Sequence, residues 1–239
     1  MKNAVIMGAG KGTRMKSELP KVLHEVNGTS MIRTIYNNLK KAGADRIIAI
    51  VGYKHELVEK EMEGLCEFAV QEPQLGTGHA VMQAKQLENE GGITLVVNGD
   101  CPCVRPETYK KLFEACEDVD MVLLTCTPED TAAYGRVVRD EDGYVKKIVE
   151  FKDCDEEEKA IKEINTGIYA FKTDALFEGL KELNNDNAQN EYYITDLVEI
   201  LNQKGCKVTA VIAQDEQEVQ GVNDHEELHR AEQYLKSFE

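Results

Sequence analysis

The run Ala4-Val-Ile-Met-Gly-Ala-Gly-Lys-Gly-Thr-Arg14 passes directly from four apolar residues into a glycine loop that ends on a cation. An unbroken apolar run reads as a strand buried on both faces, and glycines just after it let backbone N–H groups turn toward an anion without Cβ obstruction. Two familiar phosphate loops are excluded. A dinucleotide loop requires glycine at position 13, where Thr13 stands; a Walker loop requires Lys-Ser/Thr directly after its last glycine, whereas Gly12 is followed by Thr13-Arg14. What sets this loop apart is Arg14 and, a few residues on, Leu19-Pro-Lys21. Two cations beside exposed amides can neutralise a triphosphate and stabilise charge that builds on phosphorus in transit.

Outward from this loop, apolar runs alternate with helix-period segments, the pattern of a mainly parallel sheet covered on both faces. Ser30 is a candidate N-cap for a helix carrying Met31, Ile35 and Leu39 on one face, closed by Gly43. Strands are expected at Arg46 to Val51 and Phe68 to Val70, around a charged helix from Lys54 to Met62. The loop Gln71-Glu-Pro-Gln-Leu-Gly-Thr-Gly78 excludes regular structure by its proline and glycines. A helix from His79 to Leu87 leads to the most apolar strand, Ile93 to Val97, which ends on Asn98-Gly99-Asp100. A helix over Glu107 to Cys116 and a strand over Met121 to Thr125 complete a doubly wound half.

Beyond it, Gly135 to Arg139 and Val145 to Val149 alternate apolar and polar residues on both sides of Asp142-Gly143, which reads as a hairpin. Then come an acidic helix or loop from Asp153 to Glu163, a strand over Thr166 to Phe171 and a helix over Asp174 to Leu183. The polar loop Asn184 to Asn190, a helix over Thr195 to Gln203 and a strand over Lys207 to Ile212 follow. A last helix from Asp224 carries Leu228, Ala231 and Leu235. The expected architecture is α/β: a Rossmann-like, doubly wound, mixed but mainly parallel sheet. One domain over 1–239 is the economical division, in two lobes over about 1–130 and about 131–223 with a C-terminal helix over 224–239.

Composition narrows the function. A net charge of −16 repels a nucleic-acid backbone, and no Lys/Arg run offers a local exception. Yet the first 21 residues hold Lys2, Lys11, Arg14, Lys16 and Lys21 against one acid, Glu18, so positive charge is gathered where the anion site is expected. No apolar segment approaches the roughly 20 residues needed to cross a bilayer, so no membrane partner is expected. The start lacks the pattern of a secretory signal, and seven cysteines in no zinc-like spacing suit reduced thiols, so the cytoplasm is the expected location.

The run Gly10-Lys-Gly-Thr-Arg-Met15 followed by Leu19-Pro-Lys-Val-Leu-His24 resembles the signature of sugar nucleotidyltransferases. Further segments narrow the likeness: Gln71-x-x-Gln-Leu-Gly-Thr-Gly-His-Ala80, Tyr134-Gly-Arg136, Ile148-Val-Glu-x-Lys-Asp153, Glu163-Ile-Asn-Thr-Gly167, Asn187-Ala-Gln-x-Glu-Tyr-Tyr-Ile-Thr-Asp196 and Val219-x-Gly-Val-Asn223. In the same order and over nearly the whole chain, they resemble the uridylyltransferase domains of bifunctional N-acetylglucosamine-1-phosphate uridylyltransferase/glucosamine-1-phosphate acetyltransferases. Two positions depart from that pattern. The family loop usually begins Leu-Ala-Ala-Gly where this chain has Met7-Gly8-Ala9-Gly10, and Asn98 replaces a Leu/Tyr-type residue.

The resemblance implies transfer of UMP from UTP to N-acetylglucosamine 1-phosphate with release of pyrophosphate. The nearest alternatives are the same chemistry on another sugar 1-phosphate or nucleotide, and a non-catalytic nucleotide-sugar binding protein. It implies Arg14 and Lys21 as catalytic cations and Mg²⁺ as cofactor, held by Asp100 and Asn223. A lone carboxylate at the end of the most apolar strand suits Mg²⁺, which takes few protein ligands when phosphates supply the rest. Asn223-Asp-His-Glu226 also reads as a capping box for the last helix, and the two roles coexist only if the Asn223 side chain points across the cleft. By the same resemblance the lobe over about 1–130 is the nucleotide-binding half and that over about 131–223 the sugar-binding half; Met7, Gly8, Ala9 and Gly10 grip the base and ribose, Gln71 and Gly76 contact the base with Thr77 a substrate-binding residue of the same loop, and Asn98 and Gly99 flank the nucleotide with Asp100. Gly135, Glu150, Asn165 and Thr166 are expected around the sugar. Gln74 reads as a surface residue, and the five histidines as structural or surface groups. The family's hexapeptide-repeat domain has no counterpart before Glu239, so neither acetyl transfer nor the repeat-built trimer is expected, and a monomer or weak oligomer is.

Overall fold

The computed structural model describes residues 1–131, 134–187 and 189–238. Ala188, within the expected polar loop 184–190, and Glu239, the last residue of the expected C-terminal segment, lie outside the described residues. In chain order the elements are β1 (Lys2–Met7), β2 (Glu25–Val26), β3 (Thr29–Ser30), α1 (Met31–Lys41), β4 (Arg46–Val51), α2 (His55–Glu61), β5 (Glu67–Val70), α3 (Thr77–Met82), β6 (Ile93–Asn98) and α4 (Pro106–Ala115). They continue as β7 (Met121–Cys126), β8 (Arg136–Arg139), β9 (Val145–Val149), α5 (Glu156–Lys159), β10 (Ile164–Lys172), α6 (Thr173–Leu180), α7 (Leu197–Gln203), β11 (Val208–Ile212) and α8 (His225–Lys236).

Among the described residues the main sheet runs β11-β7-β10-β6-β1-β4-β5, with the β8–β9 hairpin attached to β10. Pairing is parallel across β6-β1-β4-β5 and between β7 and β11, while β10 runs antiparallel to both β6 and β7. The strand expected at 166–171 therefore enters the middle of the main sheet, and the two expected halves share it.

Alternation along each buried strand supplies two cores. Ala4, Ile6, Leu95, Val97, Ala49 and Val51 pack on one face with Ile35 and Leu39 of α1 and Leu112 and Phe113 of α4. Val5, Val96, Ile48 and Ile50 pack on the other with Val81 of α3, Leu180 of α6 and Leu201 of α7. Ser30 caps α1 by accepting from Arg33 N, and Pro106 opens α4, where its missing N–H has no helical partner to lose. The helix expected over His79 to Leu87 is shorter and starts earlier: α3 takes Thr77 and Gly78 from the loop expected to lack regular structure, stops at Met82, and a separate 3₁₀ turn covers Lys85–Leu87.

The register places Met7 beside Ile50 on one side and beside Asn98 on the other. The chain thus leaves β1 and β6 at the same end of the sheet. Gly99 N donates to Met7 O at 2.9 Å, which ties the exit of β6 to that of β1, and Gly8 N donates to Ile50 O of β4 at 2.9 Å. Among the described residues no helix is long and apolar enough to cross a membrane.

Candidate active site

After β1 the chain turns through Gly12, whose φ of 66° is left-handed. A Cβ there would lie 2.5 Å from Lys21 Cβ, so only glycine lets the returning segment bring Lys21 against the turn. A 3₁₀ turn over Thr13–Met15 carries Arg14, with Met15 fully buried as its anchor. Pro20 and a second 3₁₀ turn over Lys21–Leu23 carry Lys21, with Val22 buried in the core.

Both cations reach the same place. Lys21 Nζ donates to Asp100 Oδ2 and, at 2.7 Å, to Asn223 Oδ1; Arg14 Nη2 donates to Asn223 Oδ1 at 2.6 Å. Asp100 stands just past β6, and its carbonyl accepts from Val222 N at 2.8 Å, so the segment ahead of α8 is pinned to the β6 exit. The cap of α8 is Asp224, which accepts from Glu226 N and Glu227 N. The capping-box reading of Asn223 is corrected by one residue. Asn223 donates its backbone N–H to Glu227 Oε2 at 2.6 Å, and its side-chain oxygen is turned to the two cations.

Four of the expected residues therefore meet: Arg14, Lys21, Asp100 and Asn223. Two oxygens, one carboxylate and one amide, converge on a single cationic nitrogen. They are the hard donors that suit a small divalent ion whose remaining ligands are phosphate and water. Among the described residues no group of three or more His, Cys, Asp or Glu could hold a metal, and the donor set fits an ion that arrives with phosphates.

A cavity of about 360 Å³ lies alongside, lined by Met7, Thr77, Asn98, Glu150, Asn165 and Gly167 among others. Asn165 Nδ2 donates to the buried Tyr169 hydroxyl at 2.8 Å, which fixes the amide's orientation. Glu150 has its carboxyl pushed above the usual carboxylate range, chiefly by burial, with Asp153 and Asp196 adding repulsion. Gly135 lies near it: a Cβ there would be 3.5 Å from Glu150 Oε1, and Gly135 O accepts from Asn165 N. Asn98 Nδ2 donates to Thr166 O at 3.1 Å.

Thr166 is placed apart from Asn165. Its hydroxyl donates to Leu124 O at 2.6 Å, and the residue lines a separate groove of about 880 Å³ together with Tyr134, Gly221 and Glu227. Only the Thr166 carbonyl faces an expected site residue. In the second loop Gln71 is buried and donates Nε2 to Gly76 O at 2.9 Å, and Thr77 Oγ1 accepts from Ile194 N. Gln74, expected on the surface, donates its amide to Ala9 O and so bridges the second loop to the first. Tyr169 of the cavity carries no sequence signal beyond that of an ordinary core aromatic, whereas Tyr193 belongs to the 187–196 segment that carries the resemblance, which implies no role for it.

The Nucleotidyl transferase family matches residues 3–232. The chain is 48% identical over 239 residues to the bifunctional protein GlmU of Limosilactobacillus reuteri, covering 99% of this chain and 52% of that protein. It is 46% identical over 236 residues to bifunctional protein GlmU of Geobacillus thermodenitrificans, covering 98% of this chain and 51% of that protein. The chain thus spans about half the length of these relatives. Its fold resembles a UDP-glucose pyrophosphorylase solved with UDP-glucose, at 19% identity and a TM-score of 0.77 over 100% of both chains. A nucleotidyl transferase from Methanothermobacter thermautotroptrophicus is similar at 19% identity and a TM-score of 0.68, over 99% of both chains. The fold is of the nucleotide-diphospho-sugar transferase type, and the chain belongs to the nucleotidyl transferase family.

Proposed function

We propose that this chain transfers UMP from UTP to N-acetylglucosamine 1-phosphate, forming UDP-N-acetylglucosamine and releasing pyrophosphate, with Mg²⁺ as the metal. The observation that carries this reading is the convergence of Lys21 and Arg14 on Asp100 and Asn223, at the exits of β1 and β6 and beside a cavity that Glu150 and Asn165 help to line. Relatives called bifunctional GlmU match nearly the whole chain at 46–48% identity, which favours the uridine and N-acetylglucosamine pair over other nucleotides and sugars.

A phosphate monoester is already an ionised nucleophile at neutral pH, so the reaction requires no general base. One oxygen of the sugar 1-phosphate forms a bond to the α-phosphorus as the bond to the β-phosphoryl oxygen breaks, and the electron pair leaves with pyrophosphate. Lys21 and Arg14 stabilise the charge that grows on the phosphoryl oxygens, and the amides of the Gly8–Gly12 loop hold the nucleotide. Asp100 and Asn223 would hold Mg²⁺, which when bound neutralises phosphate charge and orients the reacting groups. Glu150 accepts from sugar hydroxyls, Asn165 offers a fixed amide, and Gln71 reads the base edge. Seven free thiols suit a reducing, cytoplasmic location.

Pyrophosphate release measured across nucleoside triphosphates and sugar 1-phosphates tests the proposal. UTP with N-acetylglucosamine 1-phosphate should give the highest kcat/KM and depend on added Mg²⁺. No release from any pair, or a clear preference for another pair, would overturn it.

A further inference from the structure

Asp100 and Asn223 lie on irregular segments more than 120 positions apart in the chain, so neither a helix nor a strand sets their separation. What sets it is a set of cross-ties between two short arms, Asp100 to Arg105 and Glu218 to Asn223. At the site end Val222 N donates to Asp100 O at 2.8 Å. In the middle Cys101 Sγ lies 3.9 Å from Val219 O and 3.6 Å from Asp100 Oδ1. At the far end Arg105 donates twice to Glu218, from its backbone N at 2.9 Å and from Nη2 at 2.8 Å.

Glu218 is 1% exposed. A carboxylate buried this completely is costly unless paired, and a well-packed apolar residue is often as stable in its place. Both of its bonds come from the one residue that ends the other arm. The Arg105 guanidinium is itself braced, 5.6 Å over the Phe238 ring. The pair is the only charged tie between the arms among the described residues, and in each arm the site residue lies five positions from the tie.

We propose that Arg105 and Glu218 are positioning residues that hold Asp100 and Asn223 at the separation a nucleotide-borne divalent cation requires; this rests on the function proposed above. Neither touches the substrates. They act through the two arms, as outer-shell partners do when they orient the ligands of a metal. A purely structural tie would instead change overall stability and leave the metal dependence alone.

The test is the coupling between metal and nucleotide, measured by calorimetry as the ratio of UTP Kd in EDTA to UTP Kd with Mn²⁺. Glu218→Gln keeps the side-chain shape and one acceptor for Arg105 N but loses the charge. It should lower that ratio about tenfold or more, with UTP Kd in EDTA unchanged, and raise the Mg²⁺ concentration for half-maximal turnover while kcat at saturating Mg²⁺ stays near wild type. Arg105→Lys, which keeps the backbone donor and the charge, should retain a larger ratio than Arg105→Met. Asp100→Asn serves as the variant that loses the coupling outright. An unchanged ratio in both Glu218→Gln and Arg105→Met, or an equal loss of UTP affinity with and without metal, would overturn the proposal. Wild-type protein that releases pyrophosphate while these variants keep their coupling refutes the positioning role alone; wild-type protein with neither coupling nor turnover refutes the function as well.

Discussion

Replacing Lys21 with methionine should move two observables in opposite directions. The lysine ammonium lies against Asp100 Oδ2 and 2.7 Å from Asn223 Oδ1, with side chains 13% exposed at Lys21 and 28% at Asp100. Two unit charges 4 Å apart attract by about 4 kcal/mol at the effective dielectric of such sites. Separation returns most of that as hydration, since fully exposed pairs net only about 0.2–1 kcal/mol. A partly buried pair falls between these limits, and about 1.4 kcal/mol, or tenfold in affinity, is the handicap on a second cation competing for Asp100. Methionine keeps the stem that packs beside Gly12 and removes the charge. Mn²⁺ should then bind the nucleotide-free variant about tenfold more tightly than wild type, read from the free-ion electron paramagnetic resonance signal. Meanwhile kcat for pyrophosphate release should fall by about 10²–10³, the loss found when a preorganised donor to developing charge is removed. Unchanged or weaker Mn²⁺ binding in the variant would show that Lys21 does not share the metal's oxygens, and the geometric reasoning would fail.

Arg14→Ala should lower kcat by about 10²–10³ for the same electrostatic reason, and an unchanged kcat removes Arg14 from the reaction. Gly76→Ala should destabilise the fold by about 1–3 kcal/mol in urea titration, the range for a strained backbone, because φ is 107° and the new Cβ would fall 2.6 Å from Tyr192 O; a variant as stable as wild type refutes this. Glu150 has a folded pKa raised above its ordinary 4.5, mainly by burial, so its favourable contribution is complete below that value and is lost as pH rises through the folded one. Glu150→Gln, neutral throughout, should therefore gain melting temperature relative to wild type between pH 4 and pH 7 while raising KM for the sugar 1-phosphate, and a gap that does not widen with pH contradicts the assignment.

The strands nearest the site are legible because they are buried on both faces, so β1 and β6 appear as unbroken apolar runs with their turn residues directly after. The placement of β10 is not legible. Its own apolar residues mark a strand, but insertion between β6 and β7 is decided by pairing across some 40 to 80 positions, which leaves no local trace. The cap of α8 is off by one for a plain reason: Asn223 and Asp224 are both good caps, each with a glutamate three residues on, and only the structure shows which one turns to the helix. Gln74 is exposed, as expected of a surface amide, but its bond to Ala9 O has no local signal because that acceptor is a backbone atom 65 positions away. Glu218 follows Asp215 and Glu216, and nothing local signals that it is buried.

The long-range contacts of these loops bear on how the site works. A chain of net charge −16 must still present positive potential to a triphosphate, and two cations brought together without partners would repel each other and strain the loop that carries them. Here both meet oxygens of the same site: the Asp100 carboxylate neutralises Lys21, and the Asn223 amide oxygen accepts from Lys21 and Arg14 alike. Binding then becomes an exchange: phosphate oxygens replace the protein's oxygens around Lys21 and Arg14, and the freed Asp100 and Asn223 face a cation again. Because every charge keeps a partner before and after, the net gain depends on distances between loops more than on the number of charges, which is why the ties that hold those loops matter as much as the groups at their tips.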